Sequence, residues 1–191
     1  MPGNQTILNI IGLLDESSAG EYYFFEQPAF KIKEKQKVQF HRTHVGFIFQ
    51  AFHLIDELNV YENIETPLIY RGVKGKERKA LVADLLDRFN IVAKKDLFPS
   101  QLSGGQQQLV AIARAIIGSP KLLLADEPTG NLHSEQGEMI MKLLKKLNDE
   151  GMTIIQVTHN EKYAGYGSRI VKLEDGLMRE DRLTEAIGKI Y

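Results

Sequence analysis

Short apolar segments alternate along this chain with longer stretches whose apolar residues recur at helical spacing. Four segments rich in β-branched, aromatic or leucine residues predict β-strands, at residues 45–49, 121–125, 153–158 and 169–173. The second and third are almost wholly apolar, as is typical of strands that are buried in a parallel sheet. The alternation of strands with helices predicts an α/β fold with a mostly parallel sheet.

Two stretches between the predicted strands keep the i, i+3, i+4, i+7 spacing of an amphipathic helix. They are Leu109, Ile112, Ala113 and Ile116 in the first, and Ile140, Leu143, Leu144 and Leu147 in the second. Residues 51–100 contain no segment with the pattern of a buried strand, and Leu81, Leu85 and Phe89 mark a further helix there. A helical lobe, at about residues 51–117, is therefore expected as an insertion in the α/β core.

Composition narrows the class of protein. The 191 residues carry 24 Lys and Arg, 25 Asp and Glu, and no Cys. This length predicts one domain, residues 1–191. The lack of Cys excludes zinc–thiolate sites, iron–sulfur clusters and thiol catalysis, and a net charge of −1 argues against nucleic acid as a partner. No apolar run approaches the ~20 residues of a membrane span, and the first residues lack the basic segment of a secretion signal. A cytoplasmic protein is expected.

Two adjacent acids follow the most apolar predicted strand. Asp126 and Glu127 come directly after residues 121–125. In α/β folds, ligands bind where parallel strands end, so these carboxylates are placed to hold Mg²⁺ and to polarise an attacking water. An isolated Asp-Glu pair is more often a solvated turn, and only its context favours the functional interpretation.

A second segment that could bind a ligand lies at the start of a predicted helix. Ser103, Gly104, Gly105 and Gln106 precede the helical stretch, so backbone N–H groups and the positive end of a helix dipole can face an anion there. Alone, such a segment is more often a simple helix cap. Its position, one helix and one strand before Asp126, favours a phosphate site.

Together these segments resemble the ATP-binding subunits of ABC transporters. Residues 102–106 (LSGGQ) are similar to the signature motif, 124–132 to the Walker B strand and its following loop, and 156–159 to the segment that ends in the switch histidine. Gln50 matches the glutamine of the Q-loop. Residues 8–15 and 58–63 resemble the branch that serves lipoprotein release and macrolide export, and the resemblance spans about residues 3–178.

The resemblance implies a P-loop NTPase fold with ATP and Mg²⁺ as cofactors. Asp126 would hold Mg²⁺, Gln50 would sense the metal and the attacking water, Glu127 would be the general base, and His159 would contact the γ-phosphate. The signature residues would bind the ATP held by a second ATPase subunit in a head-to-tail dimer; they are Ser103, Gly104, Gly105 and Gln106. The helical lobe would dock a membrane permease, which places the protein on the cytoplasmic face of the inner membrane.

The segment that corresponds to the family's phosphate loop is degenerate. A functional loop has the pattern Gly-x-x-x-x-Gly-Lys-Ser/Thr. The last Gly of this pattern corresponds to Gly3, its Lys to Asn4, its Ser to Gln5, and the Thr that follows it to Thr6. Asn4 therefore replaces the phosphate-binding lysine and Gln5 the hydroxyl that binds Mg²⁺. We expect the isolated chain to bind ATP weakly and to hydrolyse it negligibly.

The N-terminal part of the family's domain is also expected to be absent, because two residues precede Gly3. The chain would then lack the leading β subdomain, with its aromatic residue that stacks on adenine, and the strand that leads into the phosphate loop. We expect that strand beside residues 122–125. Its absence should leave less cover on several apolar side chains, namely Leu122, Leu124, Ile155 and Val157.

Three functions remain open on these grounds. The first is an ATPase subunit that couples ATP binding and hydrolysis to export or lipoprotein release. The second is an inactive, truncated homologue that acts as a half-site partner or is a non-functional remnant. The third, a DNA-repair or chromosome-structure ATPase, is disfavoured because no sustained heptads separate Gln50 from Ser103 and the charge is balanced.

Overall fold

The computed structural model describes residues 2–24 and 26–184. The helices and strands follow one another as α1 (Pro2–Ile11), β1 (Tyr23–Phe24), β2 (Gln27–Pro28), α2 (Glu34–His44), β3 (Val45–Ile48), α3 (Val60–Tyr70), α4 (Gly75–Arg88), α5 (Gly104–Ile116), β4 (Leu122–Asp126), α6 (Ser134–Asp149), β5 (Thr153–Val157), α7 (Glu161–Ala164), β6 (Arg169–Glu174) and β7 (Leu177–Leu183). No described helix is both long enough and apolar enough to cross a membrane.

A parallel sheet of three strands, in the order β3–β4–β5, forms the centre of the fold. Leu123 lies opposite Gly46 on one side and opposite Ile154 on the other, so β4 is the middle strand. Its residues Leu123, Leu124 and Ala125 are fully buried, as strands covered on both faces must be. The α/β prediction is confirmed, and three of the four predicted strands form this sheet.

The fourth predicted strand lies elsewhere. Residues 169–173 belong to β6, which pairs antiparallel with β7 in a separate two-stranded hairpin. Asp175 and Gly176, both with positive φ, make the turn between the two strands. The prediction of a strand at residues 169–173 is confirmed, and its partner is the next strand along the chain and not the parallel sheet. A tight two-residue connection can join only antiparallel neighbours, because a parallel pair needs a long crossover.

The expected position of a further strand beside β4 is wrong. A strand has two hydrogen-bonding edges, and both edges of β4 are taken, by β3 and β5. Helix α1 covers one face of the sheet, where Leu8 and Leu13 join an apolar cluster with Leu124. As a result Leu124 is 0% exposed, whereas Val157 on the outer strand is half-buried.

Helix α3 packs on α5, helix α4 packs on α3, and all three share one apolar cluster with the sheet. Ile64, Val82 and Ile112 are fully buried in it, and the same cluster continues into Ile48 and Leu123 of the strands. Helix α3 begins at a capping box in which the Asn59 side chain accepts from the backbone N–H of Glu62 and the Glu62 carboxylate accepts from Asn59 N–H.

Helices α5 and α6 turn their predicted apolar faces towards this cluster. Ile112 and Ile116 of α5 are buried, as are Ile140, Leu144 and Leu147 of α6. The two helices approach closely near their first turns, since a Cβ at Gly105 would lie 3.0 Å from Gln136 Cδ. This contact places the start of α5 beside the loop that leads into α6.

Candidate functional site

The predicted catalytic residues meet at one edge of the parallel sheet. Gln50 follows β3, Asp126 ends β4 with Glu127 directly after it, and His159 comes two residues after β5. In the parallel register Asp126 lies opposite Val157, so the ends of β4 and β5 are level. The structure therefore brings to one place the side chains that the sequence predicted from three separate segments.

Glu127 is held in an uncommon backbone conformation by the strand beside it. Its φ is +44°, and its backbone N–H donates to Val157 O at 3.0 Å. Its carboxylate accepts from the backbone N–H of His159 at 2.9 Å and from Thr158 Oγ1 at 3.2 Å. Non-glycine residues with positive φ cluster at functional sites, where neighbouring contacts enforce them.

The imidazole of His159 lies against this carboxylate. Its Nδ1 is 2.6 Å from Glu127 Oε1, and the side chain is 84% exposed whereas that of Glu127 is 14% exposed. Because Nδ1 is engaged by Glu127, the imidazole offers only Nε2 to a ligand from solvent. When the ring carries both protons, Nε2 is a hydrogen-bond donor that can contact an anion such as phosphate.

Asp126 has a perturbed carboxyl group. Burial, and then the charge of Glu127, raise the pKa of the Asp126 carboxyl above its usual value. Adjacent carboxylates with this kind of perturbation are often functional, because a bound cation removes the repulsion between them. Oxygen donors are the ligands that Mg²⁺ prefers, so the chemistry of the pair fits that ion.

Gln50 is paired with Asn131, a residue that the sequence did not single out. Gln50 Nε2 donates to Asn131 Oδ1 at 3.1 Å, and Asn131 Nδ2 donates to the backbone carbonyl of Gln50 at 2.9 Å. The Gln50 side chain lies flat on Gly130, where a Cβ would be 2.7 Å from Nε2. The loop after β3 is thereby tied to the loop after β4.

The loop after Gln50 is held from the other side by Arg114 of α5. Phe52 and His53 both have positive φ, and their carbonyl oxygens accept from Arg114, Phe52 at 3.0 Å and His53 at 2.7 Å. Burial lowers the pKa of the Arg114 guanidinium from its usual value. The planar guanidinium of Arg114 thus holds two consecutive residues that have left-handed backbone conformation.

The signature segment forms the first turn of α5. The Ser103 side chain accepts from Gln106 N–H at 3.4 Å, and Gln106 Oε1 accepts from Ser103 N–H at 3.0 Å, which is a capping box. A Cβ at Gly104 would lie 3.4 Å from Leu132 Cδ2 and 3.7 Å from the Phe52 ring. The signature turn therefore lies beside the loops that carry Gln50 and Asn131.

Gln108, one turn into α5, makes a further link that sequence reasoning missed. It is fully buried, and its Nε2 donates to Pro128 O at 2.6 Å. Pro128 follows Glu127 directly, so the signature helix holds the backbone of the acidic loop. The sequence signal that could have indicated such a contact is a Gln on the otherwise apolar side of a predicted helix, because a polar side chain that is buried there needs a hydrogen-bond partner.

The segment predicted as a degenerate phosphate loop lies in α1. Residues 3–6 have helical backbone there, and Gln5 and Thr6 are exposed. Beyond their helical backbone, Gly3 and Asn4 lie outside the described part of the structure. Their assigned roles therefore stay predictions.

Comparison with known proteins identifies the family. The model of the ABC transporter family matches residues 3–130. An ABC transporter ATP-binding protein of Methanocaldococcus jannaschii is 44% identical over 174 residues, which are 91% of this chain and 78% of that protein. The macrolide export ATP-binding/permease protein MacB 2 of Yersinia pestis is 42% identical over 94% of this chain, and the chain spans 26% of that protein's length.

Solved structures agree with the predicted fold class. A dimeric ATP-binding cassette in a post-hydrolysis state, bound to ADP and Pi, is 40% identical and superposes with a TM-score of 0.86 over 97% of this chain and 82% of that one. CbiO1 of Clostridium perfringens, part of the transporter complex CbiONQ, has a TM-score of 0.86 at 27% identity over 96% of this chain and 73% of that one. Because the family model matches more than half of its residues, this chain belongs to the ABC transporter family.

Proposed function

We propose that this chain is the ATP-binding subunit of an ABC transporter and couples ATP binding and hydrolysis to export or lipoprotein release through a membrane permease. The observation that carries the proposal is the Glu127–His159 pair at the ends of two parallel strands, with Nδ1 and Oε1 2.6 Å apart. A half-buried carboxylate beside an exposed imidazole suits a base that acts on a water and a contact to the phosphate that this water attacks.

The proposed roles follow from the chemistry of each group. Asp126 and Gln50 supply oxygen ligands for Mg²⁺, which when bound neutralises the charge of the phosphates. Glu127 accepts a proton from the attacking water, and His159 Nε2 donates to the γ-phosphate. Among the described residues no group of three or more His, Asp or Glu side chains could hold a metal. Such a small set of protein donors suits Mg²⁺, which usually keeps several water and phosphate ligands.

Two features support a second ATPase subunit as partner. The first turn of α5 is capped by its own residues Ser103 and Gln106, and Ser103 is exposed. A helix N-terminus of this kind attracts phosphate, and the family resemblance assigns it to the ATP held by the other subunit, through Ser103, Gly104, Gly105 and Gln106. The relative of known structure that is bound to ADP and Pi is dimeric.

The helical lobe supports a permease as the other partner. Exposed large apolar side chains lie on it and beside it, among them Ile55, Ile69, Tyr70 and Phe98. Relatives named as ATP-binding/permease proteins contain both parts in one chain. A partner embedded in the membrane would keep this chain on the cytoplasmic face.

A second candidate function is a partner that does not hydrolyse ATP and lends its signature turn to an intact subunit. The sequence observation that favours it is Asn4 in the position of the phosphate-binding lysine. In that case Ser103 serves the ATP of the other subunit, whereas Glu127 has no nucleotide to act on.

Titration of the full chain with ATP and Mg²⁺ in a calorimeter, together with assays of phosphate release, tests the proposal. The chain is measured alone and then mixed with a family member that has a complete phosphate loop. We expect ATP-dependent association in the mixture, which Ser103→Arg abolishes because a long cation fills the space of the phosphate. Glu77→Gln, on the exposed surface of α4, is the matched control and should associate like the unaltered chain.

The outcomes separate the two candidates. Phosphate release that Glu127→Gln removes supports a hydrolysing subunit, and the drop should be at least about 100-fold, as for the loss of a general base. Association without any phosphate release from this chain's own site supports the half-site partner. If the mixture does not associate at saturating ATP, a second ATPase subunit is not the partner under either candidate function.

A further inference from the structure

We propose that Asn131 is a positioning residue that fixes the orientation of the Gln50 side-chain amide, so that Gln50 presents its oxygen and not its nitrogen to the Mg²⁺ site. This inference rests on the proposed function, because the metal role of Gln50 belongs to that proposal. Asn131 itself is not assigned to the metal, the nucleotide or the reacting water.

The hydrogen bonds determine which way each amide faces. The Gln50 backbone carbonyl can only accept, so the Asn131 atom that lies 2.9 Å from it must be the donor Nδ2. Oδ1 of Asn131 then faces the side chain of Gln50, where it requires a donor, and Gln50 Nε2 is 3.1 Å away. The orientation of the Gln50 side-chain amide therefore follows from the Gln50 backbone carbonyl, which can only accept a hydrogen bond.

The remaining atom of the Gln50 amide is the one a cation would bind. Oε1 accepts no hydrogen bond from any residue that the structure describes. An amide oxygen ligates hard cations and accepts from water, whereas an amide nitrogen does neither. If the amide turned over, the metal would meet an N–H group and Oδ1 of Asn131 would face Oε1 across a hydrogen-bond distance.

The residue before Asn131 leaves room for this arrangement. A Cβ at Gly130 would lie 2.7 Å from Gln50 Nε2, 3.0 Å from Cδ and 3.2 Å from Cγ. Gly130 is absent from the residues with positive φ, so the requirement for glycine comes from the side chain that lies on it and not from its backbone conformation. The loop after β4 thus supplies both a surface and a hydrogen-bond partner for Gln50.

The loop that follows Gln50 has other supports. Arg114 holds the carbonyls of Phe52 and His53, and Phe52 N–H donates to Phe49 O at 3.3 Å. These contacts do not involve Asn131. A change at Asn131 should therefore alter the orientation of the Gln50 amide while the loop stays in place.

Two variants of nearly the same size separate this role from simple packing. Asn131→Asp keeps an acceptor for Gln50 Nε2 but has no donor for the Gln50 carbonyl, and Asn131→Leu has neither. The first readout is the ¹⁵N-edited NMR signal of the Gln50 side-chain amide, which Gln50→Glu assigns by its disappearance. We expect distinct, slowly exchanging amide protons in the unaltered chain and in Asn131→Asp, and averaged, fast-exchanging protons in Asn131→Leu. Equal signals in all three overturn the proposal.

The second readout is the affinity for Mn²⁺, used as the probe for Mg²⁺ in the presence of ATP and measured by electron paramagnetic resonance. Loss of a group that orients a metal ligand commonly costs about 10-fold or more in metal affinity. We expect about this loss in Asn131→Leu, with partial or full rescue in Asn131→Asp, and an unchanged circular dichroism spectrum in both. If Asn131→Leu binds Mn²⁺ as well as the unaltered chain, the proposal is wrong. If the unaltered chain binds no Mn²⁺ with ATP, the proposed metal function fails, while the amide signal still decides whether Asn131 orients Gln50.

Discussion

The loops at the carboxyl edge of the sheet and the N-terminal helix α1 are held in different ways. The loops are held by directional hydrogen bonds, from Arg114 to two carbonyls, from Asn131 to Gln50 and from Gln108 to Pro128. Helix α1 and the turn after it are held mainly by apolar contacts, in which Leu8 of the helix and Leu13 of the turn pack on the sheet.

This difference follows from what each region must do. An apolar contact is non-directional, so it covers the sheet without fixing the rotation of any polar group. A side chain that presents one particular atom to a ligand needs partners that distinguish that atom from its neighbours, which only hydrogen bonds and close steric contact provide. A helix of ten residues is also too short to be stable alone, so α1 depends on its packing.

The largest effect should come from the apolar cores beneath the two regions. Leu123→Ala removes a side chain that is 0% exposed in the middle strand, and we expect it to lower the free energy of unfolding by about 3–5 kcal/mol. Leu8→Ala opens a similar cavity under α1, but that helix can shift into the space, so we expect about 2 kcal/mol. Urea unfolding followed by circular dichroism measures both. A larger loss for Leu8→Ala would show that α1 is as rigidly packed as the sheet.

Close steric contact near the catalytic edge gives the next effect. A Cβ at Gly137 would lie 2.6 Å from the hydroxyl of Tyr163, a buried residue that follows His159 by one helical turn. We expect Gly137→Ala to cost about 1–3 kcal/mol, since the ring must move. In Gly75→Ala the added Cβ would meet only Arg78 Nη2, at 4.0 Å. This control should be neutral or stabilise by up to about 1 kcal/mol, because alanine favours a helix.

The elements built on local pattern were predictable, and the contacts between distant loops were not. The short runs that became strands and the helical periods of α4, α5 and α6 depend only on nearby residues, and they gave four strands and three helices correctly. The Gln50–Asn131 pair joins residues 81 apart in the chain, and Arg114 is 62 residues from Phe52. Neither pair has a local signal, because an exposed Asn in a turn and an Arg in a helix are both ordinary.

The partners of the strands were less predictable than the strands themselves. An apolar run such as residues 169–173 indicates that a strand forms, but the partner of that strand depends on the connection and on the rest of the sheet. The partner here is β7, whose sequence is mostly charged and polar and gave no strand signal. Likewise, the sequence of β4 does not show that both of its hydrogen-bonding edges are taken, by β3 and β5, which leaves no edge for the further strand that was expected there.

Arg114 provides a test of the directional contacts. Arg114→Met removes both donors from the carbonyls of Phe52 and His53, and we expect a loss of about 1–3 kcal/mol in the free energy of unfolding. Arg114→Lys keeps the charge but lacks the planar fork, so it should recover part of this loss. Hydrogen exchange at the amides of residues 51–54 should rise in both variants, and more in Arg114→Met. Equal exchange in the variants and the unaltered chain would show that other contacts hold the loop.

The smallest effect concerns the ion pair that fastens the segment after His159 to α6. The ion pair with Lys162, whose Nζ is 2.5 Å from Glu138 Oε2, and a hydrogen bond from the Tyr166 hydroxyl lower the pKa of the Glu138 carboxyl below its usual 4.5. A lowered pKa in the folded state means that this contribution to stability is fully present above pH 4.5 and is lost as the pH falls through the lowered value. The stability advantage over Glu138→Gln should therefore be greatest near neutral pH and should shrink below about pH 4.5.

Lys162→Met is the matched variant for this last prediction, because it removes the larger cause of the lowered pKa and leaves the carboxylate in place. Thermal unfolding measured at several pH values between about 3 and 7 should show a shallower acid loss in both variants than in the unaltered chain. A loss of the same steepness in all three would mean that α7 is fastened by Tyr163, whose ring is buried beside Gly137, and not by charge. The catalytic edge would then be held by steric contact on its His159 side and by hydrogen bonds on its Gln50 side.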